Sequence, residues 1–351
     1  MNLKNVIKDA IKVIKDNVTP QKDENKDVYL DIKKQILNEI EQHDSIIIVR
    51  HVRPDGDCIG SSFGLREVLI ASFPNKKIYS VGDGVPEYLS FLGEEDEVNE
   101  ELYQESLVIV VDTATSKRIA NEHFEKAKKL IKIDHHIPVD DYGCINYVRE
   151  DFPACCQIIE DFVKTFEDKL ILTQRAAKCL YTGLVTDTGR FRYRSVDSKT
   201  MRSAAELLDK HIDTENIYTH LNVKSPESYK LQGFVYQNFK LTESGVAYAF
   251  ITKKIMKKYG ASVEDASNLV NCLDSIKGSL IWILFVEYDN EIRVRIRSRY
   301  VPVVDIGEQF NGGGHANACG ATLNKAKEIK TLLDVADKKL AQFKNENKEL
   351  F

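Results

Sequence analysis

Residues 51–62 read HVRPDGDCIGSS, which places one imidazole and two carboxylates in a single loop containing Pro and Gly, directly after the apolar run 46–49. Two carboxylates in one turn repel each other and gain nothing for the fold unless a cation lies between them. Asp-Gly is also ordinary turn chemistry, and Asp55 or Asp57 capping the next helix is the plain alternative. Taken alone, the loop supports both readings equally. Acids and histidines recur further on, however: LVIVVD ends at Asp112, LIKID runs into Asp134, His135 and His136, and LVTDTGRFRY carries Asp187.

These residues need elements to position them. SIIIVR, KIYSV, SLVIVVD and LIKID are near-continuous apolar runs separated by helical patterns, with a helix expected over about 28–43 and another from Thr173. That alternation predicts an α/β fold with a doubly wound, mainly parallel sheet covered on both faces. Ligands of such sheets bind beyond the carboxyl ends of the strands. Three strands deliver His51, Asp55, Asp57, Asp112, Asp134, His135 and His136 to that edge, and independent helix caps have no reason to converge there. Imidazole mixed with hard oxygen suits Mn2+ or Mg2+, with Co2+ also fitting, better than structural zinc. The set exceeds what one open catalytic ion uses and fits two ions sharing a carboxylate, the arrangement that drives in-line displacement at phosphorus.

Composition narrows the class. The chain has 351 residues, 43% hydrophobic and 29% charged, enough for two soluble domains. No apolar run reaches the ~20 residues that span a bilayer and no secretory segment opens the sequence, so the expectation is a cytoplasmic protein. Seven cysteines without a C-x-x-C pair argue against a disulfide framework and a zinc ribbon. The net charge of −5 disfavours long duplex nucleic acid as partner. Residues 1–18 form a basic amphipathic pattern, Leu3, Val6, Ile7, Ala10, Ile11, Ile14 and Val18 against Lys4, Lys8, Lys12 and Lys15. Such a helix docks on its own protein or on a second copy in a homodimer, with peripheral membrane contact as the alternative. The domain reading is 1–27 helix and linker, 28–215 metal-binding domain, 216–235 linker, and 236–345 a smaller α/β domain, with the active-site cleft between the two domains.

H-x-x-P-D-G-D-x-x-G-S at 51–61, V-V-D at 110–112, D-H-H at 134–136 and T-D-T-G at 186–189 resemble the four motifs of the DHH phosphoesterases. N-G-G-G-H-A-N-A-C-G at 311–320 resembles the signature of the DHH-associated domain. The resemblance runs from about residue 30 to about 340 in motif order. It implies that His51 and Asp55 hold one metal, Asp57, His135 and Asp187 the other, and that Asp112 bridges them. It also implies that Asp134 orients a histidine and that His136 faces the substrate phosphate. Cys58 stands where the family commonly has a small apolar residue, and Cys155 and Cys156 where Ser or Thr often caps a helix. With no extra oligonucleotide-binding domain and no membrane segment in view, the branch implied is the stand-alone oligoribonucleases. These shorten dinucleotides and trinucleotides to mononucleotides and dephosphorylate 3′-phosphoadenosine 5′-phosphate (pAp). The alternatives are a linear-dinucleotide (pApA) phosphodiesterase of cyclic-di-AMP turnover and a non-catalytic nucleotide sensor.

The second domain reads as the part that grips substrate. In EIRVRIRSR a strand would project Arg293, Arg295, Arg297 and Arg299 from one face and Val294 and Ile296 from the other. A charge-protected edge strand explains part of this stripe, while Arg297 with Ser298 matches the family's phosphate-contacting pair. Gly312, Gly313 and Gly314 let backbone amides approach an anion, with His315 next. The substrate contacts expected are therefore His136, Arg297, Ser298, Gly313, Gly314 and His315. Arg190, Arg192 and Arg194 alternate similarly near Asp187, with an outward-facing surface strand equally compatible. Trp282 reads as core, and His43, His123, His211 and His220 as surface residues.

Overall fold

The structure, a computed structural model, describes residues 27–348. The helix expected over 1–18 and its roles in membrane or subunit contact lie outside the described residues. The chain forms two compact units, Met1–Asn222 and Val223–Phe351.

In the first unit, helix α1 (Leu30–Gln42) buries Ile36, Leu37 and Ile40 at helical spacing and leads into β1 (Ser45–Val49). Next come α2 (Gly56–Ser72), β2 (Lys77–Val81), β3 (Leu107–Val111), β4 (Lys129–Asp134) and β5 (Ile145–Val148). The sheet is wholly parallel in the order β2-β1-β3-β4-β5. The chain leaves β1 to one side for β2 and returns on the other side for β3, so the topological switch point lies between β1 and β3. Helices α3 (Cys155–Thr165), α4 (Gln174–Asp187), α5 (Ser198–Leu208) and α6 (Thr214–Asn222) complete the unit.

One sheet face packs on helices through Ile46, Ile48, Ile109, Ile131 and Ile133. The opposite face, with Ile47, Val49, Val108 and Val110, meets Tyr103 and Ile119 of short 3-10 and loop segments. Each such side chain fully removed from water contributes ~1.5–3 kcal/mol. The sequence leads one to expect helices between all the early strands, but β2 to β3 and β3 to β4 are joined by 3-10 turns such as Glu87–Leu92 and Glu122–Lys126. Gly82, Gly84, Pro86 and Gly93 interrupt the first of these connections and leave no uninterrupted helical stretch. His43 also departs from expectation: it is buried, with Nδ1 2.8 Å from the Glu39 carbonyl.

The region read as a linker, 216–235, is mostly helical, shared by α6 and α7 (Pro226–Asn238), and the units divide at 222/223. In the second unit follow β6 (Lys240–Leu241), β7 (Ala247–Ile251), α8 (Lys253–Tyr259), α9 (Val263–Ser267), β8 (Ile281–Glu287) and β9 (Ile292–Ser298). Then come α10 (Val304–Gln309), β10 (Gly313–His315), β11 (Ala318–Leu323) and α11 (Glu328–Glu346). The six strands form a mixed sheet in the order β10-β11-β9-β8-β7-β6. Its two faces have separate cores, one holding Val294 and Ile296 against α11, the other holding Trp282.

Candidate metal centre

His51 follows β1, Asp112 follows β3, and His135 follows β4, so three neighbouring strand ends straddle the switch point. The loop after β1 is pinned from the side: His51 makes an isolated antiparallel bridge with Ile119, and the Val52 amide donates to the Arg118 carbonyl at 2.7 Å. Asp55 is the N-cap of α2 and accepts from the Cys58 amide at 3.1 Å, so the plain turn-capping role is real and coexists with its place beside His51. Asp112 sits in left-handed backbone at φ 50°, a conformation Asp tolerates better than most residues.

Asp57 and Asp187 are brought in by two helices that approach closely. Gly56, Gly60 and Gly64 recur every four residues along α2. A Cβ on Gly60 would stand 2.6 Å from the Cys179 carbonyl oxygen of α4, and one on Gly64 2.5 Å from Leu180. From α4, a Cβ on Gly183 would meet the Asp57 Cα at 2.9 Å. The small-residue row therefore lets the start of α2 lie against the end of α4, where Asp187 is the last helical residue. Asp57 is held from a third direction: its carboxylate accepts the Cys155 amide at 2.6 Å and the Cys156 amide at 2.9 Å, the first two residues of α3. The cap expected of the residues at 155–156 is thus supplied by Asp57, whose negative charge suits a helix N-terminus.

Asp112 faces both histidines. Its Oδ2 lies 3.5 Å from His51 Nε2 and its Oδ1 3.3 Å from His135 Nε2. On the first side Asp55 Oδ2 is 3.9 Å from His51 Nε2. On the second, Asp187 and Asp57 stand 3.4 and 3.8 Å from His135 Nε2. All six residues expected as ligands, His51, Asp55, Asp57, Asp112, His135 and Asp187, are brought together. His51 Nδ1 is 2.9 Å from the Val52 carbonyl, a bond that leaves Nε2 as the lone-pair nitrogen. Asp134 Oδ1 accepts from the His135 amide at 2.9 Å and lies 2.8 Å from His136 Nδ1, so it orients His136.

The charge balance favours a cation. Burial, with the Asp112 charge added, pushes Asp57 up to about 7. Burial and the Asp57 and Asp55 charges lift Asp187 well above the usual carboxylate range. Burial would raise Asp112 too, yet the His135 and His51 imidazoles that face it outweigh that and hold it well below the usual range. For His135 burial works downward, but Asp112, Asp187 and Asp57 together raise it well above an ordinary imidazole. Four carboxylates and two imidazoles here require retained protons or added positive charge. Asp112 Oδ1 is moreover buried without a hydrogen-bond partner. Bound divalent ions would meet both demands, and the residues fit them.

Lys132 escapes sequence reading. It is fully buried on β4, its Nζ 3.0 Å from the carbonyls of Ala114 and Asp140 and 3.4 Å from Asp134 Oδ2. The signal available was a lysine inside the apolar run LIKID. Arg118, 3.4 Å from His51 Nδ1, carries no such signal. Around 190–194 the expected alternation does not form: the segment is turns, with Arg190 and Phe191 in left-handed backbone and Arg190, Arg192 and Arg194 all exposed.

In the second unit, β9 presents Arg293, Arg295 and Arg297 on one face, and Val294 and Ile296 are buried on the other. Arg299 falls beyond the strand, where its Nη2 donates to the Asp274 carbonyl. Arg293, Arg295 and Arg297 pair with Thr322, Gly320 and Ala318 of β11, so small side chains flank the cationic row. A Cβ on Gly312 would come 1.9 Å from the Gly320 carbonyl, and Gly314 has φ 143°, so both glycines are needed for packing. Gly313 alone of the three faces open space. Ser298 is engaged by its own loop, with its hydroxyl donating to the Val301 carbonyl and accepting from Asn317 at 3.0 Å. Arg297 Nη1 donates to the Ile296 carbonyl at 3.0 Å. His315 enters through its backbone pairing with Ala318; its side chain lies outside what is described.

A parallel sheet with acids and imidazoles at its switch point, followed by a unit with a glycine-rich turn beside an arginine strand, defines a two-part class of protein. Residues 45–184 match the DHH family, N-terminal domain, and residues 243–342 the DHHA1 domain. The chain belongs to the DHH family. It is 38% identical over 303 residues to the bifunctional oligoribonuclease and PAP phosphatase NrnA of Bacillus subtilis, covering 86% of this chain and 96% of that protein. To the protein of the same name from Mycoplasma genitalium it is 36% identical, over 87% of this chain and 97% of the other. Among solved structures, an exopolyphosphatase-related protein from Bacteroides fragilis is similar with a TM-score of 0.81 and 28% identity, over 91% of this chain and 98% of the other. Among the described residues no helix is long and apolar enough to cross a membrane.

Proposed function

We propose that this protein is a dinuclear metal-dependent phosphoesterase that hydrolyses dinucleotides and trinucleotides to mononucleotides and removes the 3′ phosphate of pAp. The observation that carries the reading is Asp112, whose two oxygens face His51 on one side and His135 on the other at 3.5 and 3.3 Å. His51 and Asp55 would hold one ion, Asp57, His135 and Asp187 the other, with Asp112 between. Two divalent ions, Mn2+ in the first place, would supply an activated water and neutralise charge on the phosphoryl group. The remaining work belongs to side chains. Asp134 fixes His136 through Nδ1, and His136 so oriented would face the substrate phosphate. Burial works against the Asp134 charge, but its bond to His136 outweighs that, with buried Lys132 at 3.4 Å adding to it, and holds the carboxyl below its usual range. Arg297 with the Gly313 backbone and His315 would hold a terminal phosphate, and this anchoring favours short substrates. The NrnA relatives, whose names state both activities, support the substrate assignment.

One turnover assay tests this. Purified protein with Mn2+ is offered pAp, pApA, a ribotrinucleotide, a 24-residue single strand and pyrophosphate at one salt concentration. We expect kcat/KM to be highest on pAp, dinucleotide and trinucleotide, at least tenfold below that on the long strand, and absent on pyrophosphate. Equal rates on long and short strands would overturn the anchoring, and no hydrolysis of any of the five would overturn the enzymatic reading. A marked preference for pApA over every other substrate would replace it with the linear-dinucleotide phosphodiesterase.

A further inference from the structure

The two sides of the centre are not equivalent. The second side offers Asp57, His135 and Asp187 with Asp112, all oxygen and imidazole. On the first side the ligand atoms of His51, Asp112 and Cys58 lie within 4.8 Å of one another, so a sulfur stands among the oxygen and nitrogen donors. Cys58 is fully buried in the first turn of α2, its Sγ making only a long contact, 3.9 Å, to the His51 carbonyl. Beside it the Asp112 carboxylate is 2% exposed, with Oδ2 facing His51 Nε2 at 3.5 Å. A fully buried thiol lying among the donor atoms of two buried side chains already expected on the metals is placed as a third donor on that side.

We propose that Cys58 is a metal ligand on the His51 side of the centre and gives that side a preference for thiophilic divalent ions, Zn2+ and Co2+, over Mn2+. Thiolate sulfur favours zinc and cobalt over manganese and magnesium, while carboxylate and imidazole alone discriminate less. The side without sulfur keeps the hard-ion preference, so the protein would carry unlike metals when both kinds are present. The inference rests on the dinuclear reading and adds to it a chemical difference between its halves.

The test uses the full chain stripped of metal. Titrated with Co2+, the native protein should develop a thiolate-to-cobalt charge-transfer band in the near ultraviolet, a signature that oxygen and nitrogen ligands do not give. Cys58→Ser should lose the band, and Cys155→Ser/Cys156→Ser should keep it. In competition against a chromophoric chelator, Zn2+ affinity should fall at least tenfold in Cys58→Ser and Mn2+ affinity less than threefold, the latter also showing that the variant is folded. No band in native protein that still binds two Mn2+ would overturn the Cys58 assignment and leave the dinuclear reading standing, as would a band that survives Cys58→Ser. Failure of the native protein to bind either ion would overturn both.

Discussion

Asp112 is the residue on which the centre turns, because it serves both histidines from a left-handed backbone position. Asp112→Asn keeps a side chain that tolerates φ 50° and removes one charge. We expect kcat to fall at least 10³-fold on every substrate and bound Mn2+ to drop below two per chain by elemental analysis, with the circular dichroism unchanged. Near-native activity with two ions bound would dismiss the shared-carboxylate arrangement. The residues expected as ligands were legible in the sequence because all but Asp187, at the end of α4, come after an apolar strand, and strand ends on one sheet edge must converge. The amides of Cys155 and Cys156 on Asp57 were not legible, since their partner lies about a hundred residues earlier and only the packing of α3 brings the two together. Lys132 was hidden by a related cause: its partners are backbone carbonyls of two loops, which leave no mark in composition.

Helix placement accounts for the next level. Gly60 cannot accept a side chain without moving the α4 backbone, as a Cβ there would stand 2.6 Å from the Cys179 carbonyl and 3.0 Å from the Gly183 amide. Gly60→Ala should destabilise the protein by about 1–3 kcal/mol in chemical denaturation and lower kcat, because the ends of the two helices carry Asp57 and Asp187. Unchanged stability would show that the helices have room to part. A second element-scale prediction concerns Glu160 on α3, which is 3% exposed against α5. Burial, opposed by a bond to Ser203 and reinforced by Glu206, raises its pKa to about 7. Unfolded, it titrates near 4.5. Between those values the folded state holds a proton that the unfolded chain releases, so its stabilising contribution is fully present below 4.5 and is lost as pH rises through about 7. Glu160→Gln should remove that loss and exceed the native protein in stability at pH 8 by on the order of 1–3 kcal/mol, measured at equal metal concentration; a native-minus-variant difference independent of pH would refute it. The strands of both sheets were legible from their apolar runs. The 3-10 connections were not, because Gly and Pro punctuate a segment without saying which turns replace a helix.

At the scale of the molecule, the hydrophobic clusters divide cleanly, with those holding Ile46, Ile47 and Ile59 in the first unit and those holding Ile283 and Trp282 in the second. Each unit has a core sufficient for independent folding. A fragment of residues 223–351 should therefore melt cooperatively by circular dichroism. A fragment of residues 1–222 should bind two Mn2+ by calorimetry yet hydrolyse pAp at least tenfold more slowly than the whole chain. A non-cooperative second fragment, or a first fragment with native turnover, would contradict this division. Because every side chain expected on the metals precedes residue 188, the division also sets an order of events during synthesis. Once the first unit has emerged from the ribosome it holds every side chain expected on the metals, while the rest of the chain, Val223–Phe351, takes on the order of ten seconds more to be made. Metal could be acquired from the cell's free pool in that interval, before the glycine turn proposed to hold phosphate exists. The nascent protein would then be loaded before it is able to grip a nucleotide, and its metal content would record the ions available at translation.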